Sequence, residues 1–163
     1  DIADSSSLSL DKFFFTYNKY GANLPLALNI KSDGLQEKLK CLIEKYNIKN
    51  YFVFDMSIPN TMLYLDFGMN ILIRRSEYEH ELEIPGNIHG IWLDQFESNW
   101  YGIDLIESII KKWEFVCIVS PDLHGRDNKS CWSLLADSSV LSHSKMMICT
   151  DYPLQAEEYF NEK

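Results

Sequence analysis

The sequence contains no apolar run approaching the ~20 residues a helix needs to cross a bilayer. It has no run of lysines or arginines, and its formal net charge is −9. Phosphate backbones and anionic membrane surfaces select a basic face, so nucleic acid is not an expected partner. The four cysteines show no CxxC or metal-binding spacing. Cys117 and Cys149 fall in strand-like apolar runs, Cys41 and Cys131 in helix-like ones. That pattern predicts buried free thiols and a reducing, cytoplasmic setting. No signal peptide precedes Asp1, and a first residue other than methionine places the expected natural N-terminus upstream.

What is present is a globular composition: 163 residues, 46% hydrophobic and 13% aromatic. The length suits one domain, residues 1–163, with a substantial core. After a polar leader (Ser5 to Ser9), Leu10, Phe13, Phe14 and Tyr17 recur at helical spacing until Gly21. Asn23 and Pro25 mark a turn before a strand from Leu26 to Lys31. Asp33 and Gln36 read as a capping pair for a helix whose stripe is Leu35, Leu39, Leu42, Ile43 and Tyr46. Further strands are predicted at Tyr51 to Asp55, Asn70 to Arg74, Gly90 to Leu93, Phe115 to Val119 and Met146 to Thr150. Helices are expected after Pro59, over Ile103 to Trp113, through Trp132 to Leu135, and from Pro153.

Apolar runs alternating with amphipathic helices predict an α/β fold with a parallel sheet wrapped by helices. A (β/α)8 barrel takes about 30 residues per unit. Six strand candidates therefore make about three quarters of a TIM-like barrel, an incomplete one with an open edge at Leu26 to Lys31. Parallel strands bring their carboxy-terminal ends to one rim, where such folds bind ligands. The residues expected there are Asn29 and Lys31, Asp55 and Ser57, Arg74 and Arg75, and Asp94 and Glu97. Ser120, Asp122, His124 and Arg126 follow, then Thr150 and Asp151. Mixed acids and bases around one mouth suit a cation together with a small phosphate-bearing ligand.

Plainer roles stand beside these. Asp55, Asp94 and Asp151 have the positions of helix caps, and Arg74 and Arg75 are in reach of Glu77 or Glu79. Arg126 has Asp122 and Asp127 as possible partners. Lys31 closes a buried strand, where a charge needs a partner.

Several of these segments resemble the glycerophosphodiester phosphodiesterase family, which has a TIM-barrel fold. LALNIK (Leu26 to Lys31) resembles the family's strand ending in Glu-x-Lys, and ICTDYP (Ile148 to Pro153) its closing TDYP strand. YFVFDMS resembles the strand that usually carries a Ser-Phe pair; SPDLHGR departs from the family pattern. The resemblance implies a phosphoric diester hydrolase acting on an alcohol- or glycerol-linked phosphodiester with a divalent cation, Mg²⁺ or Ca²⁺. Lys31, which matches the family's lysine, and His124, which lies outside the family's pattern, are the expected catalytic residues, and Arg74, Arg126, Asp94, Ser120 and Asp122 are the substrate contacts expected from the rim. Asn29, Asp55 and Asp151 would stand at the metal. Asn29 replaces the family's glutamate and is a poorer ligand for a hard cation. The family's His-Arg and Glu-x-Asp motifs belong to two β/α units expected before residue 1, and Asp1 matches the second half of its later His-Asp pair. The alternative expectation is a catalytically degenerate domain that keeps the phosphate-binding rim. In either case a partner chain or a preceding segment is expected to cover the open edge.

Overall fold

Four- and five-residue segments, apolar except for Asn29 and the Arg74–Arg75 end of the third, form the strands, and every strand pairing is parallel. β1 is Leu26–Asn29, β2 Tyr51–Phe54, β3 Leu72–Arg75, β4 Gly90–Leu93, β5 Phe115–Val119 and β6 Met146–Cys149. The helices are α1 Leu10–Tyr20, α2 Gln36–Lys45, α3 Ile58–Asp66, α4 Ile103–Lys112, α5 Lys129–Ala136 and α6 Pro153–Asn161. The computed structural model describes residues 6–21, 24–80 and 84–162. Asp1, Ser5 and Asn23, which figure in the expectations above, lie outside them. The chain divides into two compact units, Asp1–Ile71 and Leu72–Lys163.

In the first unit β1 pairs with β2, placing Leu26 opposite Tyr51 and Asn29 opposite Phe54. Val53 makes a further parallel bridge to Ile71. Phe52, Val53 and Phe54 are buried together, as a parallel strand covered on both faces requires. Ser9 caps α1 by accepting from Lys12 N–H, and the Gly21 N–H closes its end on the Tyr17 carbonyl. Of the predicted α1 stripe only Phe14 is buried. It meets Tyr46 edge-on, while Asn18 Nδ2 donates to the Tyr46 carbonyl and Asp11 pairs with Lys45. α2 buries Leu39 and Ile43. Its expected cap does not form: Leu35 is the N-cap, and Gln36 turns inward to the buried Asn60 of α3. Cys41 faces out from α2, contrary to the expectation of a buried thiol.

In the second unit the sheet order is β3-β4-β5-β6. Neighbours in space are neighbours in sequence and every pair is parallel. That progression is the one a β/α barrel uses, whereas a doubly wound sheet reverses its strand order. β4 is buried throughout and β5 from Val116 to Val119. Gly90 is required here, because a Cβ would lie 2.2 Å from the Phe115 carbonyl oxygen of the adjacent strand. α4 covers this sheet with Ile106, Ile109 and Ile110 buried. Each fully buried isoleucine is worth roughly 1.5–3 kcal/mol against an exposed one. A 3-10 turn, Pro121–His124, intervenes between β5 and α5, and another, Ser139–Ser142, precedes β6.

The fold is therefore an α/β TIM-barrel-like array with six parallel strands, and among the described residues no strand pair closes a barrel. No helix among them is long and apolar enough to cross a membrane.

Candidate active site at the strand ends

The sequence-predicted residues fall into two sets, one on each unit. On the first, Lys31 and Asp55 follow the ends of the paired strands β1 and β2 and form an ion pair. Lys31 is 72% exposed at its side chain, Asp55 17%. Asp55 adopts a left-handed backbone (φ 71°), a region that aspartate and asparagine enter more readily than most residues. The chain bends there between β2 and α3. The pair borders a pocket of about 270 Å³ lined also by Ile30, Ser32, Asp33, Met56, Ser57 and Asn60. Ser57 is the N-cap of α3, yet its hydroxyl makes no capping bond. Asn29, the last residue of β1, is exposed.

On the second unit the polar side chains are gathered into one network. Asp94, 5% exposed, follows β4. Its Oδ1 accepts from the Gln95 N–H at 2.9 Å and lies 2.7 Å from His124 Nε2. A carboxylate can only accept, so Nε2 carries the proton and Nδ1 is the nitrogen left to exchange one. The His124 side chain is 23% exposed, and its ring packs on Phe96 at 4.8 Å between centroids. Gly125 makes the geometry possible: at φ 69° it ends the 3-10 turn and sends its N–H back to the turn's own carbonyls. Arg126 then reaches across to the Gln95 carbonyl and Asn99 Oδ1, both at 2.7 Å. Its partners are neither of the two aspartates within reach in sequence.

Asp122 ties β5 to β6. It accepts from the buried Ser120 hydroxyl, from Thr150 Oγ1 at 2.8 Å and from the Asp151 N–H at 2.8 Å. Burial acts to raise its carboxyl, and these hydrogen bonds outweigh it, holding the group below the usual aspartate value. Ser120 in turn accepts from Trp132 Nε1 at 2.9 Å. The Asp151 side chain is exposed, and Tyr152 is the N-cap of α6.

Arg74 forms a fork-like pair with Glu79 and stacks over the Phe96 ring. The Arg75 Nε is buried without a hydrogen-bond partner among the described residues. Sequence reasoning missed Phe96, which lies between Arg74 and His124, and the role of Glu77. The Glu77 carboxylate accepts the successive backbone N–H groups of Phe96, Glu97 and Ser98 at 3.1, 2.7 and 3.3 Å. Burial opposes ionisation there too, and the backbone bonds again win, lowering its pKa. No local signal marked either residue, since each acts through partners distant in sequence.

Among the described residues no group of three or more histidines, cysteines, aspartates or glutamates is placed to hold a metal ion. The three positions expected at a metal fall on both units, Asn29 and Asp55 on the first and Asp151 on the second. Asn29 is neutral, and Asp55 is paired with Lys31.

No family model matches the chain, and no curated protein matches it in sequence. Among solved structures it is similar to one described as a "putative glycerophosphodiester phosphodiesterase" from Galdieria sulphuraria, with a TM-score of 0.68 and 17% identity. That similarity covers 94% of this chain and 63% of the other, so this chain spans less than two thirds of its neighbour's length. At that identity the likeness establishes the fold.

Proposed function

We propose that this chain is a phosphodiesterase-like barrel domain that acts on an alcohol- or glycerol-linked phosphodiester. The observation that carries the proposal is the Asp94–His124 pair at the carboxy-terminal ends of β4 and β5, where β/α barrels keep their chemistry. A buried carboxylate fixing the tautomer of a partly exposed imidazole is the arrangement of a general acid–base. His124 would exchange a proton at Nδ1 with the attacking or leaving oxygen. The likeness of fold to a glycerophosphodiester phosphodiesterase supports the reaction class by analogy only. Lys31, Arg74 and Arg126 are the candidate phosphate contacts, but each already has a partner within its own unit.

Two features favour a second reading, a phosphate-ligand-binding domain without turnover: Asn29 in place of a carboxylate, and cations committed to internal partners. Assay of glycerophosphodiesters with Mg²⁺ or Ca²⁺ separates the two. The hydrolase reading expects turnover that falls about 10²–10⁴-fold in His124→Ala, the usual contribution of a general acid–base. Ligand binding without turnover would establish the second reading instead.

A further inference from the structure

A second cavity, of about 600 Å³, opens where the chain leaves α2 and enters β2, lined by Tyr17 and Asn18 of α1 and by residues 46–50. It shares no residue with the strand-end site. Its volume falls within the roughly 300–1,000 Å³ of cavities that hold small ligands. Lys49 is the only charged group among the described residues of its lining, in a chain whose net charge is −9. The acceptors here are spent. α2 ends on Asn47 in left-handed backbone (φ 52°), and the N–H groups of Tyr46, Asn47 and Ile48 close on the Leu42, Glu44 and Ile43 carbonyls. The carbonyls that give a helix end its negative character are thereby occupied. The Tyr46 carbonyl takes Asn18 Nδ2 at 2.7 Å, and the Asn50 carbonyl takes the Leu26 N–H at 3.0 Å. Tyr17 donates its hydroxyl proton to the Leu24 carbonyl at 2.6 Å. The donors are not spent: neither the Lys49 ammonium nor the Asn47 side-chain amide has a partner among the described residues. A lysine on an open surface would be an ordinary solvated charge. Here it borders a cavity walled by two half-buried tyrosines.

We propose that this cavity binds an organic anion, a carboxylate or phosphate carried on an aromatic body. The anionic oxygens would accept from Lys49 Nζ and Asn47 Nδ2, and the body would lie against the Tyr17 and Tyr46 rings. Such a ligand supplies acceptors where the lining offers donors, which a cation or a purely apolar molecule does not. The inference goes beyond the diester reading and does not depend on it, since none of these residues belongs to that site.

Titration of the 163-residue protein with benzoate, phenyl phosphate, benzyl alcohol and benzylammonium, followed by 15N NMR, tests it. Benzoate and phenyl phosphate are expected to shift the Asn18 side-chain amide and the Ile48 N–H to saturation, and the tighter of the two names the anionic group. Benzyl alcohol and benzylammonium, of similar size but without the negative charge, should bind roughly tenfold more weakly or worse. Lys49→Gln keeps a polar side chain and removes the charge; it should weaken the anions roughly tenfold, the loss of a hydrogen bond to a charged group. Asn47→Gly removes the amide and keeps the helix end, because glycine is the residue most at ease in that left-handed position. It should weaken the anions roughly two- to tenfold. An equal response to benzyl alcohol, anion affinity unchanged in both variants, or no response of these reporters to any of the four overturns the proposal. So do anion shifts confined to the strand-end residues.

Discussion

The two rims solve the placement of charge in opposite ways. On the first unit Lys31 and Asp55 pair at the edge of an open pocket, with the lysine largely in water. On the second, Asp94, Asp122 and Glu77 each accept at least two hydrogen bonds from fixed donors. Fixed donors cost little to reorganise and hold geometry, whereas an exposed ion pair is screened and easily exchanged. The second rim is thus held by its hydrogen bonds, while the lysine of the first stays open to exchange with water.

The sharpest test of that contrast is Asp122→Ala. It removes three hydrogen bonds and leaves the buried Ser120 hydroxyl without its acceptor, so chemical denaturation should report a loss of about 2–4 kcal/mol. Asp94→Ala removes the acceptor of two donors, and about 1–3 kcal/mol is expected by the same measurement. An effect of Asp94→Ala larger than that of Asp122→Ala would reverse the assignment of the main tie between strands.

Acidification probes the same groups without mutation. Asp122 and Glu77 both have folded pKa values below their ordinary ones. Their contribution is fully present above the unfolded values, near about 4, and disappears as pH falls through the lower folded values. Melting temperatures should therefore fall below about pH 4, and Asp122→Asn should flatten the fall. An unchanged pH profile in that variant would show that its carboxylate is not the sensor. The smallest effect belongs to Lys31→Ala. With the lysine 72% exposed, its loss should change stability by no more than about 1 kcal/mol. A larger cost would mean that the first rim is as tightly built as the second.

Strand positions were legible because apolar runs report burial directly. β4 and β5 match the expected bounds, while β2 and β6 end one residue earlier. β3 begins two residues later than expected, at Leu72. Asn70 is drawn to β2 instead, its side-chain amide on the Tyr51 carbonyl and its own carbonyl on the Val53 N–H. The partners of charged residues were not legible. Periodicity says which face a residue occupies, but not that Arg126 will choose a carbonyl and an asparagine over two nearby aspartates. Gln36 likewise had the spacing of a cap and instead pairs with Asn60, 24 positions away. Cys41 faces outward because its α2 places Leu39 and Ile43, two residues to either side, against the core.

All four tryptophans, Trp92, Trp100, Trp113 and Trp132, belong to the second unit. Intrinsic fluorescence excited at the indole band is therefore a reporter of that unit, while far-ultraviolet circular dichroism sums the helices of both. If the two halves unfold as one cooperative body, the two signals will trace a single denaturation curve. If the first unit melts first, ellipticity will fall while emission holds, and the spectroscopic gap will measure how far the two rims are thermodynamically independent.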